Sequence, residues 1–497
     1  MLRHAPRPSR LRRAFWKLRS RTPGFHVVVG GLMLMALGFH ALTFRPEVWW
    51  GDAYQYLLHA ENILSGHAYA DTGVLPGPDG LGPQADPVGY PLVLAPLVAL
   101  FGASPVGLAL TSSLFLIGAS WLTATLARGW LPDPFAAAIA VLVAFQPGLM
   151  AASRQPLADP LFLVLVVLCL LAAERASYQT ERWRRRALVA GAALALAVAT
   201  RPLGLVLAPA LLIPGLVRSR RLERPAIVSL AVGAALWAVL VAVDRGAAPG
   251  VAGLEALGVG PRPLSELPGR LVGYVRGSYP LWYVPGSDLA KNVLFAIAMF
   301  PAGVGFAHRV RRRLGPAEAF AALYVIALVV WTEPSTRALF PLYPIYLLYL
   351  VVGVWRLGRD TQARQWATSA ALAAAVAFSY GGRYLGWAVS PPSAVVDADD
   401  EAVYRHLRTA TPADAVVLTT GDPRPAVYYA RRAVARGPSE VGDWAAFADR
   451  TGASYALVRD DSELAAALLD DPRHEVVLRR GSQALVHICP GPCAGPE

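Results

Sequence analysis

Residues 25–44 read FHVVVGGLMLMALGFHALTF, twenty positions without a charge, and the 24 residues before them, MLRHAPRPSRLRRAFWKLRSRTPG, hold eight Lys or Arg and no acid. A run of this length matches the ~20 residues a helix needs to cross hydrocarbon. A cleavable leader would have an apolar region of ~7–15 residues ending at small side chains. This run is longer and ends in bulky ones, which predicts a retained anchor behind a basic tail.

Working outward, further apolar runs lie near 104–127, 134–150, 157–174, 187–200, 203–217, 225–243, 289–307, 317–331, 339–355 and 366–388. With the first they predict a polytopic α-helical membrane protein of about eleven transmembrane helices. The composition agrees: 55% of the 497 residues are hydrophobic and only 16% charged, against ~25% charged in an average soluble domain. An ordinary soluble enzyme is excluded. The net charge of +12 does not point to nucleic acid, because the basic residues fall in short clusters between apolar runs rather than along one face.

Those clusters orient the chain, since Lys and Arg accumulate in cytoplasmic loops. With the N-terminus inside, Arg182/Arg184/Arg185/Arg186, Arg218/Arg220/Arg221/Arg224, Arg309/Arg311/Arg312/Arg313 and Arg356/Arg359/Arg364 all fall inside. Residues 45–88, outside, carry one Arg against six acids, Glu47, Asp52, Glu61, Asp71, Asp79 and Asp86. The expected organisation is a cytoplasmic tail over 1–24, a membrane domain over 25–388 with outer loops 45–103 and 244–288, and an extracytoplasmic domain over 389–497. In that last segment helical and strand patterns alternate: DADDEAVYRHLRTA, RPAVYYARRA, DWAAFADRTG and SELAAALLDD as helices, AVVLTT and YALVRD as strands, HEVVLRRGSQALVHI as a hairpin. This predicts a small α/β domain. Cys169 lies in an apolar run, and Cys489 and Cys493 in CPGPC are close enough for a local disulfide, without a framework or zinc pattern.

An ionisable side chain at membrane depth costs ~2.5–3.5 kcal/mol on insertion scales, so such residues usually serve a purpose. The candidates are Asp52, Arg154 with Asp159, Arg201, and Glu333 with Arg337, all brought to the outer face by this topology. Each also has a plain structural reading. Asp52 could cap the helix that follows. Arg154 and Asp159 could pair to pin a helix end, Arg201 could snorkel, and Glu333 and Arg337 could be a solvated pair. Together, a carboxylate and three guanidiniums make a cationic site suited to a phosphate on a lipid headgroup. The inner loops are short and lack a glycine-rich strand-to-helix turn for a nucleotide, so any activated substrate is expected to be in the lipid phase already.

Five strings, GDAYQYLLHAENILSG (51–66), DPVGYPLVLAPLVALFG (86–102), SRQPLADPLFLVLVVLCLLA (153–172), ATRPLGLVLAPALL (199–212) and STRALFPLYPIYLL (335–348), resemble in order the GT-C glycosyltransferases that use polyprenyl-phosphate sugars. The group includes the protein O-mannosyltransferase and aminoarabinose-transferase members, bacterial family 39 and Rgt-like members. The resemblance covers 25 to about 360, and the tail from YRHLRTATPADAVVLTTGDPRPAVYYARR (404–432) looks like the extension many of them carry. It implies a GT-C-like membrane domain, and transfer of a sugar from a polyprenyl-phosphate donor to a glycan, lipid or protein acceptor at the extracytoplasmic face of the cell membrane. By similarity Asp52 is the catalytic base, Arg154, Arg201 and Arg337 bind the donor phosphate, and Tyr54, Tyr90, Asp159 and Glu333 line the site. Direct displacement would invert the anomeric centre. Many relatives have a second acid directly after the base, where this chain has Ala53; no cluster supports a metal, and a divalent-ion requirement is left open. Loop 244–288, with Tyr274, Tyr279, Trp282 and Tyr283, reads equally as a lid or acceptor contact and as an interfacial aromatic belt. A carrier or flippase for lipid-linked sugars would use the same arginines, though without evident inverted repeats, and a non-catalytic scaffold would use the spans only as an anchor.

Overall fold

The computed structural model describes residues 24–44, 49–78, 86–178, 181–247, 264–278, 281–282, 284, 287–331, 335–358, 361–389, 396–438, 440, 443–459 and 463–489. The 1–24 tail, apart from Gly24, lies outside them, as do Glu333, Tyr279, Tyr283, Cys493 and residues 248–263 of the loop 244–288. Each of the eleven apolar runs is helical over most of its length. Among the described residues six helices are long and apolar enough to cross a membrane: Gly24–Leu42, Pro105–Ala127, Ala158–Ser177, Pro202–Ser219, Leu289–Arg312 and Arg337–Gly358. A seventh forms if Asp133–Ala144 and Pro147–Ser153, bent by 54°, are one span. The break falls where Gln146 caps the second piece, its Oε1 accepting the Leu149 N–H at 2.6 Å, and Pro147 starts it.

Length and composition therefore support six or seven spans, not the full eleven. Arg224–Leu240 and Pro316–Val330 are apolar but short. Trp183–Thr200 opens on three arginines, and Gln362–Val389 mixes Arg, Gln, Ser and Tyr into its apolar face. The predicted outer loop 45–103 itself holds two helices, Gly51–Ser65 and the apolar Gly89–Phe101.

Ala158–Tyr178 and Tyr343–Gly358 are apolar all round and become the centre of the bundle, burying Phe162, Val166, Leu170, Leu348 and Val352. Tyr343–Gly358 runs against Asp288–Arg312 at backbone contact. A Cβ at Gly353 would overlap the Pro301 carbonyl and one at Gly305 the Tyr349 carbonyl, so small residues set this approach.

The C-terminal segment folds around a six-stranded sheet, order β1-β3-β2-β4-β6-β5. β2 (Val416–Thr419), β3 (Ala433–Arg436) and β4 (Ala453–Arg459) are parallel; β5 (His474–Arg480) and β6 (Gln483–Ile488) form the predicted hairpin, whose β6 pairs antiparallel with β4. Side chains alternate between faces. Val417, Val434, Leu457 and Leu485 share a core with helices Ala398–Ala410 and Pro423–Ala430, while Leu418, Ala435, Ala456, Val458 and Val486 pack with Trp444–Thr451 and Glu463–Leu469. The edge strand β1 is Val74–Leu75, from the first outer loop, paired in parallel with β3. The C-terminal unit is thus tied to the loop that carries Asp52, on the same side of the bundle.

Candidate functional site

Asp52 does not cap its helix. Trp50 occupies that position, its N–H donating to Gln155 Oε1 at 2.8 Å, and Asp52 lies in the first turn of Gly51–Ser65. Its carboxylate is gripped on both oxygens: Arg337 Nη1 donates to Oδ2 at 2.6 Å and Arg424 Nη1 to Oδ1 at 2.6 Å. Burial alone would raise this carboxyl, but the two guanidiniums outweigh it and hold the group below its usual value.

Arg337 bridges two acids, because its Nη2 donates to Asp159 Oδ2 at 2.9 Å, and its guanidinium also lies 4.8 Å from the centre of the Trp50 ring. Asp159, in the first turn of Ala158–Tyr178, accepts a further bond at the same oxygen from Arg201 Nη2, at 2.8 Å. Local sequence explains these placements. Arg201 precedes Pro202, which disfavours helix at Arg201; it is extended (φ −149°, ψ 130°), ends Trp183–Thr200 and starts a 3-10 turn. Arg337 likewise begins the 3-10 segment Arg337–Leu342 that leads into Tyr343–Gly358. The buried Nε atoms of Arg201 and Arg337 have no hydrogen-bond partner among the described residues.

Two side chains lie elsewhere than expected. Arg154 does not join this cluster through Asp159: its Nη2 donates to the Thr43 carbonyl at 3.0 Å and its guanidinium stacks 4.5 Å from Trp387, while Arg201 and Arg337 hold Asp159. Arg154 follows the short helix after the bend, which turns it toward those neighbours. Tyr54 packs against Tyr428 and Tyr429 of the C-terminal unit, ring centres 5.5 Å apart in each case, instead of lining an open site. Arg337 bonds Asp52 and Asp159, and the pairing expected with Glu333 lies outside the described residues. Tyr90 is buried edge-on to Tyr56, 5.0 Å away, one turn along from Asp52.

Two groups were missed. Arg424, at the start of Pro423–Ala430, reaches Asp52 across 372 residues. Asp86 counted only as one of six loop acids. Its backbone is pinned: its N–H donates to His59 Nε2 at 3.2 Å and its carbonyl accepts from Tyr69 Oη at 2.6 Å. His59 Nε2 being the acceptor, Nδ1 donates to the Tyr69 carbonyl at 2.8 Å, and burial pushes this neutral ring down to about 4. Burial, with the negative charge of Asp52, pushes the Asp86 carboxyl up to about 7. Asp86 is thus a second acid within electrostatic reach of Asp52, placed farther along the chain than Ala53. Among the described residues no three His, Cys, Asp or Glu side chains gather as a metal-binding group.

The segment that presents Arg337 also borders a cavity of about 360 Å³, lined by Leu339, Leu342, Tyr343, Phe295, Met299 and Tyr274, among others, with almost no polar surface. Of the four aromatic residues of 244–288, Tyr274 thus faces this cavity and Trp282 is buried with its Nε1 donating to Tyr346 Oη at 3.2 Å. Both are packed into the bundle rather than forming a belt.

Residues 85–243 match the family model described as dolichyl-phosphate-mannose-protein mannosyltransferase. No curated protein matches the chain by sequence. Among solved structures, ArnT from Cupriavidus metallidurans bound to undecaprenyl phosphate is 16% identical, with a TM-score of 0.63 over 95% of this chain and 99% of that one. The archaeal oligosaccharyltransferase AglB from Archaeoglobus fulgidus, in complex with an inhibitory peptide and a dolichol-phosphate, is 15% identical, with a TM-score of 0.61 over 86% and 69%. The arabinofuranosyltransferase AftD from Mycobacteria is 16% identical, with a TM-score of 0.59 over 93% and 40%. The chain is a multi-pass membrane protein with the GT-C fold these structures share.

Proposed function

We propose that this chain is a membrane glycosyltransferase that moves a sugar from a polyprenyl-phosphate donor to an acceptor at the extracytoplasmic face, by direct displacement with Asp52 as base. The observation that carries the reading is a joint one: a cluster of guanidiniums and carboxylates stands beside an apolar cavity, and one short segment, 337–342, contributes to both. A lipid carrying an anionic headgroup needs that combination. The polyprenyl chain occupies the cavity lined by Leu339 and Tyr343, and the phosphate meets Arg337 and Arg201, whose unpartnered Nε atoms are spare donors for an anion. The acceptor hydroxyl gives its proton to Asp52 as it attacks the anomeric carbon, and the arginines neutralise the charge that grows on the departing phosphate. The fold match and the family-model match over 85–243 support this donor class.

In this reading the N-terminus is cytoplasmic and all eleven helical runs take part in the membrane domain, the shorter ones tilted or partly sheltered by protein. Ten crossings then separate the first outer loop from the C-terminal unit, which agrees with their shared sheet. The decisive experiment is sugar transfer from an undecaprenyl-phosphate sugar by purified protein. Asp52→Asn is expected to lose transfer by a factor of ~10²–10⁴ while inserting and folding normally. Wild-type transfer by that variant would reject the base, and no transfer by the wild type from any polyprenyl-phosphate sugar would reject the reaction class.

A further inference from the structure

Arg424 is the part of the site that the membrane helices do not supply, and it is held as though built for the task. Asp422 caps helix Pro423–Ala430 by accepting the Arg424 N–H at 3.0 Å, and its two oxygens take the side chain in a fork, Nε at 2.9 Å and Nη2 at 2.8 Å. Only Nη1 is left to reach Asp52. The helix that carries Asp52 is bare at the point of contact: a Cβ at Gly51 would overlap both the Asp422 carboxylate and the Arg424 guanidinium.

With Arg337 on one oxygen and Arg424 on the other, Asp52 keeps a lone pair on each oxygen but is a poor base, because both guanidiniums favour its charged form; release of one of them makes it a better proton acceptor. Arg337 is fixed by Asp159 and the Trp50 ring as well. Arg424 belongs to a unit seated on the first-loop helix through the Tyr54, Tyr428 and Tyr429 rings and the Arg431–Glu61 pair, and with its fork to Asp422 kept, only its Nη1 has to leave Asp52; its side chain is also the more exposed, 33% against 21%.

We propose that Arg424 is a donor-phosphate ligand contributed by the C-terminal unit: it covers Asp52 in the empty protein and passes to the phosphate when the donor binds, uncovering the base. The inference rests on the lipid-donor reading above. Exchanging a carboxylate for a phosphate leaves the guanidinium with an equivalent charge-assisted bond, so the donor itself biases the exchange. No covalent bond changes in this step. Catalysis is thereby withheld until the leaving group is in place.

The test uses the full-length protein in detergent with undecaprenyl phosphate as probe, followed by transfer kinetics. Arg424→Ala should weaken binding about tenfold or more and raise the donor KM more than it lowers kcat, and Arg424→Lys should recover part of the loss. Gly51→Ala should reproduce Arg424→Ala by expelling the fork. Arg459→Ala, whose partner Asp400 belongs to the same C-terminal unit, should bind as the wild type does. Wild-type binding by Arg424→Ala or Gly51→Ala, or an equal loss in Arg459→Ala, overturns the inference while leaving the donor reading intact. Absence of binding by the wild type removes both.

Discussion

Helix Ala158–Tyr178 carries an acid near each end, Asp159 and Glu174, roughly 22 Å apart at 1.5 Å per residue, and the two have opposite fates. Glu174 joins Arg309 and Glu318 in a buried knot, in which Glu174 Oε2 has no hydrogen-bond partner among the described residues. Arg309 donates to Glu174 at 3.2 Å and to Glu318 at 2.9 Å, lies 3.8 Å from the Trp130 ring, and Glu318 also takes the Gly315 N–H at 2.8 Å. Those side chains are 8%, 11% and 0% exposed. At the other end Asp159 is equally buried, but the chain of contacts runs outward through Arg337 to Asp52, 30% exposed, and Arg424, 33% exposed. The same residue types make a structural pin where they close on themselves. In the proposed reading they make a reactive site where the network opens to solvent and keeps donors in reserve.

The difference can be broken experimentally, and the largest effect should be on catalysis at the open end. Asp52→Asn should abolish transfer with little change in thermal stability, whereas Arg309→Ala should cost ~3–5 kcal/mol of stability by stranding two buried acids and leave the folded fraction active. Activity and thermal unfolding measured on both variants decide this; a stable but inactive Arg309→Ala would erase the distinction. Next in size, Arg337→Ala should raise the donor KM by a factor of ~10–100, from the loss of charge-assisted bonds. Unchanged donor dependence in a titration would remove Arg337 from the phosphate site.

Asp86 sharpens the comparison through pH. With its carboxyl raised from 3.8 to about 7, the folded protein binds this proton more tightly than the unfolded chain. Its favourable contribution is therefore complete below about pH 4 and is lost as pH rises toward 7. Asp86→Asn should flatten that decline between pH 4 and 8, read as the melting temperature in detergent; a parallel curve would place Asp86 in a more solvated setting. The smallest effect belongs to Arg431→Ala. It breaks a pair with Glu61 that is 41% and 30% exposed, so the change should be under ~1 kcal/mol, and a larger loss on unfolding would mean that this pair, rather than the tyrosines, seats the C-terminal unit.

The apolar runs were legible because uninterrupted hydrophobicity over some twenty residues leaves few alternatives to a helix, and the C-terminal hairpin because HEVVLRRGSQALVHI alternates about a turn. Strand β1 was not legible: two residues in DTGVLPG show no alternation, and their pairing is decided by β3. β3 itself follows RR directly and reads as more of the helix before it, which stops at Arg431 in a left-handed conformation (φ 54°). In the site, Asp52, Arg201, Arg337 and Asp159 could be found because a charge at the end of an apolar run is costly and therefore conspicuous. Arg154 satisfied the same criterion and turned elsewhere, since sequence does not encode which way a side chain points after a bend. Arg424 gave no signal, because an arginine in a soluble unit costs nothing and is one of many. Asp86 was hidden for the same reason among the loop acids.

The pairing of Val74 with Val434 also sets an order of events during synthesis. At ~5–20 residues per second, the 360 residues between these partners keep the first strand waiting roughly 20–70 s for its neighbour. Until then neither the sheet edge nor the arginine that meets Asp52 exists, so a nascent chain lodged in the bilayer, or one interrupted before its last hundred residues, holds Asp52 with one of its two guanidinium partners absent.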